Sequence, residues 1–173
     1  MDGVAVLKES ITLTHGTLYS LLQGLEESKL TWQPPGTSNS IGALLTHMVC
    51  GEDRTIHGLI QGKPPIWDRD GWGKKLDIGG DPVPFEASKE QLRTLAVRDF
   101  GTFLPYMQQV FQATDDYLST LTAADLDQRI HIPNVPDRSL GWVLIQFINW
   151  HIAAHSGEIS CLKGLQGSKG MSL

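Results

Sequence analysis

His151 and His155 stand one helical turn apart in WHIAAHSGEI (150–159). At that spacing both imidazoles leave the same face of a helix, about 6 Å apart at their Cβ atoms. Two neutral imidazoles so placed can converge on one divalent cation, as in other helical His-x-x-x-His sites. Ile152 stands where the zinc-protease motif carries its catalytic Glu, so this is not that motif. Three residues past His155 the face reaches Glu158, a candidate general base or a carboxylate that orients a ligand. In the other direction it runs into Leu144, Phe147 and Ile148, which makes the polar cluster the continuation of a core stripe that points inward. The preceding stretch LGWVLIQFINWH (140–151) carries no acidic or basic side chain other than His151 itself. A buried imidazole pair in such a helix needs polar partners or a metal. The plain alternative is a pair of polar contacts at the edge of a bundle.

A mononuclear site of this kind wants a third ligand. His47, in SIGALLTHMVCGEDR (40–54), is one candidate, with Leu44 before it and Arg54 two turns after it. His15 is the other, because Ile11, Leu18 and Leu22 set it at the margin of a buried stripe. His57 lies ten residues past His47, about 15 Å further along a helix axis, so the two cannot share one ion. His131 falls in a proline-rich connector and is expected in solvent. Spacing does not choose between His47 and His15. Arg54 returns to the His47 face, where it could hold a substrate carboxylate or pair with Glu158; a surface role is the alternative. Glu52 is rotated about 140° from His47 and is expected to be structural. Cys50 is expected to be a small buried residue. Trp67, Trp72 and Trp150 are pocket candidates, with Trp150 expected in the core.

Four amphipathic stretches must position these groups. Val4, Leu7, Ile11, Leu18, Leu21, Leu22 and Leu25 predict a helix over 4–26. Pro34-Pro35-Gly36 breaks the chain, and Ser38 to Ser40 supply cap candidates for a helix over about 40–61. Residues 62–86 are rich in Gly, Pro and Trp and lack periodicity, which predicts a long irregular loop. Ser88-Lys89-Glu90-Gln91 has the pattern of a capping box. A third long helix covers about 98–121, with Pro105 in its first turns. The last covers about 139–165 and stops at the glycines of KGLQGSKG. With no strand series, the fold class is all-α: an up-and-down four-helix bundle in a single domain spanning 1–173.

Composition narrows the partners. The chain has 173 residues, 40% hydrophobic and 19% charged, with a net charge of −5 and no basic cluster, which argues against nucleic acid. The apolar run at 140–154 is too short and too interrupted for the ~20 residues of a membrane span, and the first ten residues lack a signal-peptide core. Two cysteines, Cys50 and Cys161, make no disulfide framework, and the expected setting is a reducing cytoplasm.

Three stretches together resemble a known family: LLQGLEESKLTWQPPGTSNSIGALLTHMVCGEDR (21–54), YMQQVFQATDDYLSTLTAADLD (106–127) and SLGWVLIQFINWHIAAHSGEISCLKGLQG (139–167). Their order and spacing are similar to those of the DinB/YfiT-like superfamily of four-helix bundles with a three-histidine metal site. The resemblance implies His47, His151 and His155 as ligands and leaves His15 without a counterpart. It implies a divalent ion such as Zn²⁺ or Ni²⁺, and a homodimer as a possible assembly. Among such proteins some transfer low-molecular-weight thiols such as bacillithiol or mycothiol, and others are called metal-dependent hydrolases.

Three imidazoles would leave the ion its full charge and an open position. A water there would become a nucleophile near neutral pH, and a thiol would be held as thiolate. The expected function is therefore a metal-dependent thiol S-transferase or hydrolase acting on a small molecule. The alternative is a non-enzymatic bundle that binds a metal or small ligand, closed by a fourth protein donor.

Overall fold

The computed structural model describes residues 2–78 and 89–171 of the chain. Helix α1 (Gly3–Leu22) starts where the Asp2 side chain accepts from the Ala5 amide, an N-cap that satisfies one orphan donor. It ends at Leu22, four residues before the expected end, and a short α2 (Glu27–Thr31) follows. Helix α3 (Ile41–Asp53), capped by Ser40, carries His47 and continues into a π-helical turn over Arg54–Ile60. Helix α7 (Phe100–Thr120), capped by Asp99, tolerates Pro105 near its start. After a 3₁₀ turn over Ala123–Asp127 and a two-residue antiparallel pairing of β1 (Arg129–Ile130) with β2 (Arg138–Ser139), the last long helix begins. It runs as α8 (Leu140–Leu144), a π-helical stretch over Ile145–Trp150, and α9 (His151–Leu165).

The four long helical stretches close a ring. Helix α1 packs on α9 and α7, and α3 packs on the same two. This is the all-α bundle that the four apolar stripes predict. Its core holds Ile11, Leu18, Leu22, Leu45, Met48, Phe103, Met107, Val143 and Ile152, all fully buried. Each such side chain contributes roughly 1.5–3 kcal/mol relative to exposure. The chain passes close over the start of α3 at Gly42, where a Cβ would stand 2.1 Å from the Val97 carbonyl oxygen. Only glycine admits that crossing. Helix α6 (Lys89–Thr94) lies just before it, while the Ser88 end of the expected capping box falls outside the described residues.

The stretch after α3 departs from expectation. Of the loop expected over 62–86, residues 62–78 contain two short helices, α4 (Ile66–Asp70) and α5 (Trp72–Lys75), and 79–86 lie outside the described residues. Trp67 and Trp72 do not line an open pocket: both are buried, with ring centroids 5.3 and 5.5 Å from that of Tyr106. The Asp53 carboxylate holds this segment. It accepts from the Ile66 and Trp67 amides and from the Tyr106 hydroxyl, each at 2.9 Å, and lies 2.9 Å from His57 Nδ1, which is hydrogen-bonded to the Asp53 backbone carbonyl at 3.2 Å. A side chain from α3 thereby caps α4, whose own N-cap is a proline that cannot. Trp150 is the second departure. It is 57% exposed, because the wider π-helical turn that ends on it rotates it off the buried face.

The Asp53 cluster yields a stability prediction. Asp53→Ala strands three buried donors, removes the ion-pair partner of His57, and should cost about 3–5 kcal/mol in urea unfolding. Asp70→Asn, at the surface, should change stability by less than about 1 kcal/mol.

Candidate metal centre

His47 comes from α3, and His151 and His155 come from the first two turns of α9. The three offer ligand atoms that all lie within 4.8 Å of one another. His151 Nε2 is 2.9 Å from His47 Nε2, and the two rings meet edge to face. His155 stands edge to face with both, at centroid distances of 5.2 Å from His47 and 4.7 Å from His151. Its Nδ1 is 2.5 Å from Glu158 Oε2, which leaves Nε2 as its free ring nitrogen.

The local sequence explains the placement. On α9 the fully buried stripe is Ile152, Ser156 and Ile159, so His151 and His155 flank it rather than lie on it. All three histidines are half-buried. The group therefore sits at the margin of the bundle, more open than an inward-pointing stripe implies. Gly51, one turn past His47, lies behind His151: a Cβ there would be 3.4 Å from His151 Cε1 and 3.8 Å from Nδ1. The imidazole rests on bare backbone, and its Nε2 edge is turned to His47.

Protonation fits a cation. Burial, reinforced by His155, lowers the pKa of His47 to about 4. Burial, with His155 and His47 adding to it, lowers that of His151 to about 3. Both rings are neutral at pH 7 and keep a lone pair, the form that ligates a metal. Unbound, two Nε2 atoms at 2.9 Å must share one proton; a cation lets both lone pairs point inward. Three imidazole nitrogens are a donor set that suits a divalent metal ion.

The other sequence candidates lie elsewhere. His15, the rival ligand, is buried against Glu52, with Nε2 3.0 Å from Oε2, and stacks on Phe111 at 3.7 Å. Glu52 also accepts from the Thr114 hydroxyl, so it ties α1 and α7 to α3 in the structural role expected of it. Arg54 is half-buried at the start of the π-helical turn and forms no ion pair with Glu158, whose carboxylate goes to His155. Cys50 is buried, takes a contact from the Tyr106 hydroxyl at 3.6 Å, and has its pKa pushed up to about 12 by burial. It is no nucleophile at neutral pH. His131 is exposed and pairs with Asp137 at 2.9 Å. Sequence reading passed over Gly51, and also the Asp53–His57 pair, whose i, i+4 spacing was visible.

A half-buried three-histidine group on a four-helix bundle defines a class of metal-binding bundle proteins. A family model described as the DinB superfamily matches residues 11–159, and the chain belongs to that superfamily. Among solved structures it is similar to a conserved protein from Enterococcus faecalis, with a TM-score of 0.81 at 18% identity. That match covers 95% of this chain and 97% of the other and speaks to the fold. No curated protein matches. Among the described residues, no helix is long and apolar enough to cross a membrane.

The lowered pKa values set a pH dependence. In the unfolded chain His47 and His151 protonate near the ordinary 6.5, so between there and the folded values the unfolded state binds more protons. Metal-free protein should be fully stabilised above pH 6.5 and lose stability as the pH falls toward 4 and then 3. Thermal melts of chelator-treated protein across that range check this. His151→Phe should flatten the slope.

Proposed function

We propose that this chain is a metal-dependent enzyme in which His47, His151 and His155 hold one divalent ion and leave a position open to a small-molecule substrate. The observation that carries the reading is the convergence of three half-buried imidazoles, two of them held neutral, with ligand atoms within 4.8 Å. When bound, a divalent ion supplies positive charge and stabilises the anionic form of a water or thiol at its open position.

The chain's own residues do the rest. His151 packs beside Gly51 and turns Nε2 toward His47. Glu158 accepts the Nδ1 proton of His155, which fixes the tautomer and raises the basicity of Nε2. Glu158 also lines a cleft of about 210 Å³ with Leu44, Leu162 and Leu165, an apolar recess beside the site for the non-reacting part of a substrate. Arg54 is the candidate to meet a substrate carboxylate. With Glu158 engaged by His155, the site is better furnished for a thiol than for water, because a thiol gives up its proton more readily and needs less help from a base. Thiol S-transfer is therefore preferred to hydrolysis.

Elemental analysis of purified protein should find about one divalent ion per chain. It should be lost in His47→Ala, His151→Ala and His155→Ala and kept in His131→Ala. Glu158→Gln should keep the ion with about 10–100-fold weaker affinity. The loaded protein should accelerate S-arylation of low-molecular-weight thiols by a chlorodinitrobenzene, and the His151→Ala protein should not. Ester hydrolysis without thiol transfer would replace the preferred chemistry with the hydrolytic one. A chain with no ion after reconstitution would overturn the enzyme reading.

A further inference from the structure

A second polar site lies away from the three histidines. Helix α7 presents Pro105, Gln108, Gln109, Gln112 and Asp116 at i, i+3, i+4, i+7 and i+11, one continuous face. That face, the π-helical turn after α3 and helix α4 enclose a groove of about 660 Å³ with His57 in its wall. The volume falls in the range of small-molecule sites.

His57 is built into this wall rather than resting on it. Asp53 is fully buried and accepts from two backbone amides and the Tyr106 hydroxyl. Its carboxylate lies 2.9 Å from His57 Nδ1, and its backbone carbonyl is hydrogen-bonded to the same nitrogen at 3.2 Å, so that edge of the ring is anchored. His57 Nε2 has no hydrogen-bond partner among the described residues. The side chains of Gln108 and Gln109 likewise have no hydrogen-bond partner among the described residues, while Gln112 Nε2 donates to Asp116 Oδ1 at 2.8 Å.

We infer that this groove is a second ligand site for a neutral, hydroxyl-rich small molecule of sugar size, with His57 Nε2 pairing with one hydroxyl and the glutamine amides pairing with others. Each primary amide offers both a donor and an acceptor, which matches a polyol, where every hydroxyl is both. Charge argues the same way. Arg69 is held in a two-point pair with Asp70, at 2.9 and 3.2 Å, so among the described residues that line the groove there is no unpaired lysine or arginine for an anionic ligand. Asp116 keeps one carboxylate oxygen for a further hydroxyl. Ile66, Pro105 and Ala113 give a small apolar area for the C–H face of a ring.

Side-chain amide resonances of the full chain, loaded with metal, read this site directly. Methyl α-glucoside and trehalose are the probes, with inorganic phosphate and butylamine as charged comparisons. Saturable shifts of the Gln108, Gln109 and Gln112 amides are expected with at least one polyol below about 100 mM, and weaker or none with the charged probes. His57→Phe should weaken polyol binding about tenfold while the metal content of the three-histidine site is unchanged. Because His57→Phe also deprives Asp53 of its ion-pair partner, Gln109→Ala serves as a second variant at an exposed position and should weaken binding about threefold or more. No saturable shift with either polyol would overturn the inference. So would equal shifts with phosphate or butylamine, or unchanged affinity in whichever variants fold.

Discussion

Two imidazole nitrogens 2.9 Å apart cannot both carry a proton. Everything about this site follows from holding His47 and His151 at that separation. Burial does most of it, by making the imidazolium form costly on both rings, and the proximity of His155 adds to the cost. The helices do the remainder. α3 and α9 lie close enough for the His151 ring on one to stand against the backbone of the other at Gly51, where a Cβ would be in van der Waals contact with it. The result is three ring nitrogens gathered within 4.8 Å, an arrangement that a cation would stabilise.

The bracing of α3 shows how that point is kept in place. Its consecutive acids, Glu52 and Asp53, are both fully buried and turn to different neighbours. Glu52 takes His15 from α1 and Thr114 from α7. Asp53 takes Tyr106 from α7, the first amides of α4 and the ring of His57. Buried carboxylates are costly unless every lone pair is used, and here the use made of them is to lock α3 against three other elements. The helix that carries His47 is thus tied to α1, α7 and α4 by buried side chains, the kind of bracing that preorganisation of a metal site requires.

Much of this was legible in the sequence, and the gaps have physical causes. The period of the apolar residues is enough to place the four long helices, since each stripe had to be buried against the others. The i, i+4 spacing of His151 and His155 was enough to pair them. It could not select His47 over His15, because both sit beside apolar stripes and only the packing of α1 shows that His15 is consumed by Glu52. Trp150 leaves the core position that an unbroken α-helix implies, because the π-helical stretch before His151 turns its residues differently. The burial of Trp67 and Trp72 was hidden for another reason: α4 and α5 are too short to show periodicity, and they depend on a carboxylate more than ten residues away in sequence.

X-ray absorption at the metal edge of reconstituted protein tests the central claim most directly. Three imidazole nitrogens at about 2.0–2.1 Å, with the nitrogen shell reduced in His155→Ala and a non-protein ligand replaced by sulfur when a thiol is added, are the predicted result. A spectrum with oxygen or thiolate ligands from the protein in place of the imidazoles would contradict it.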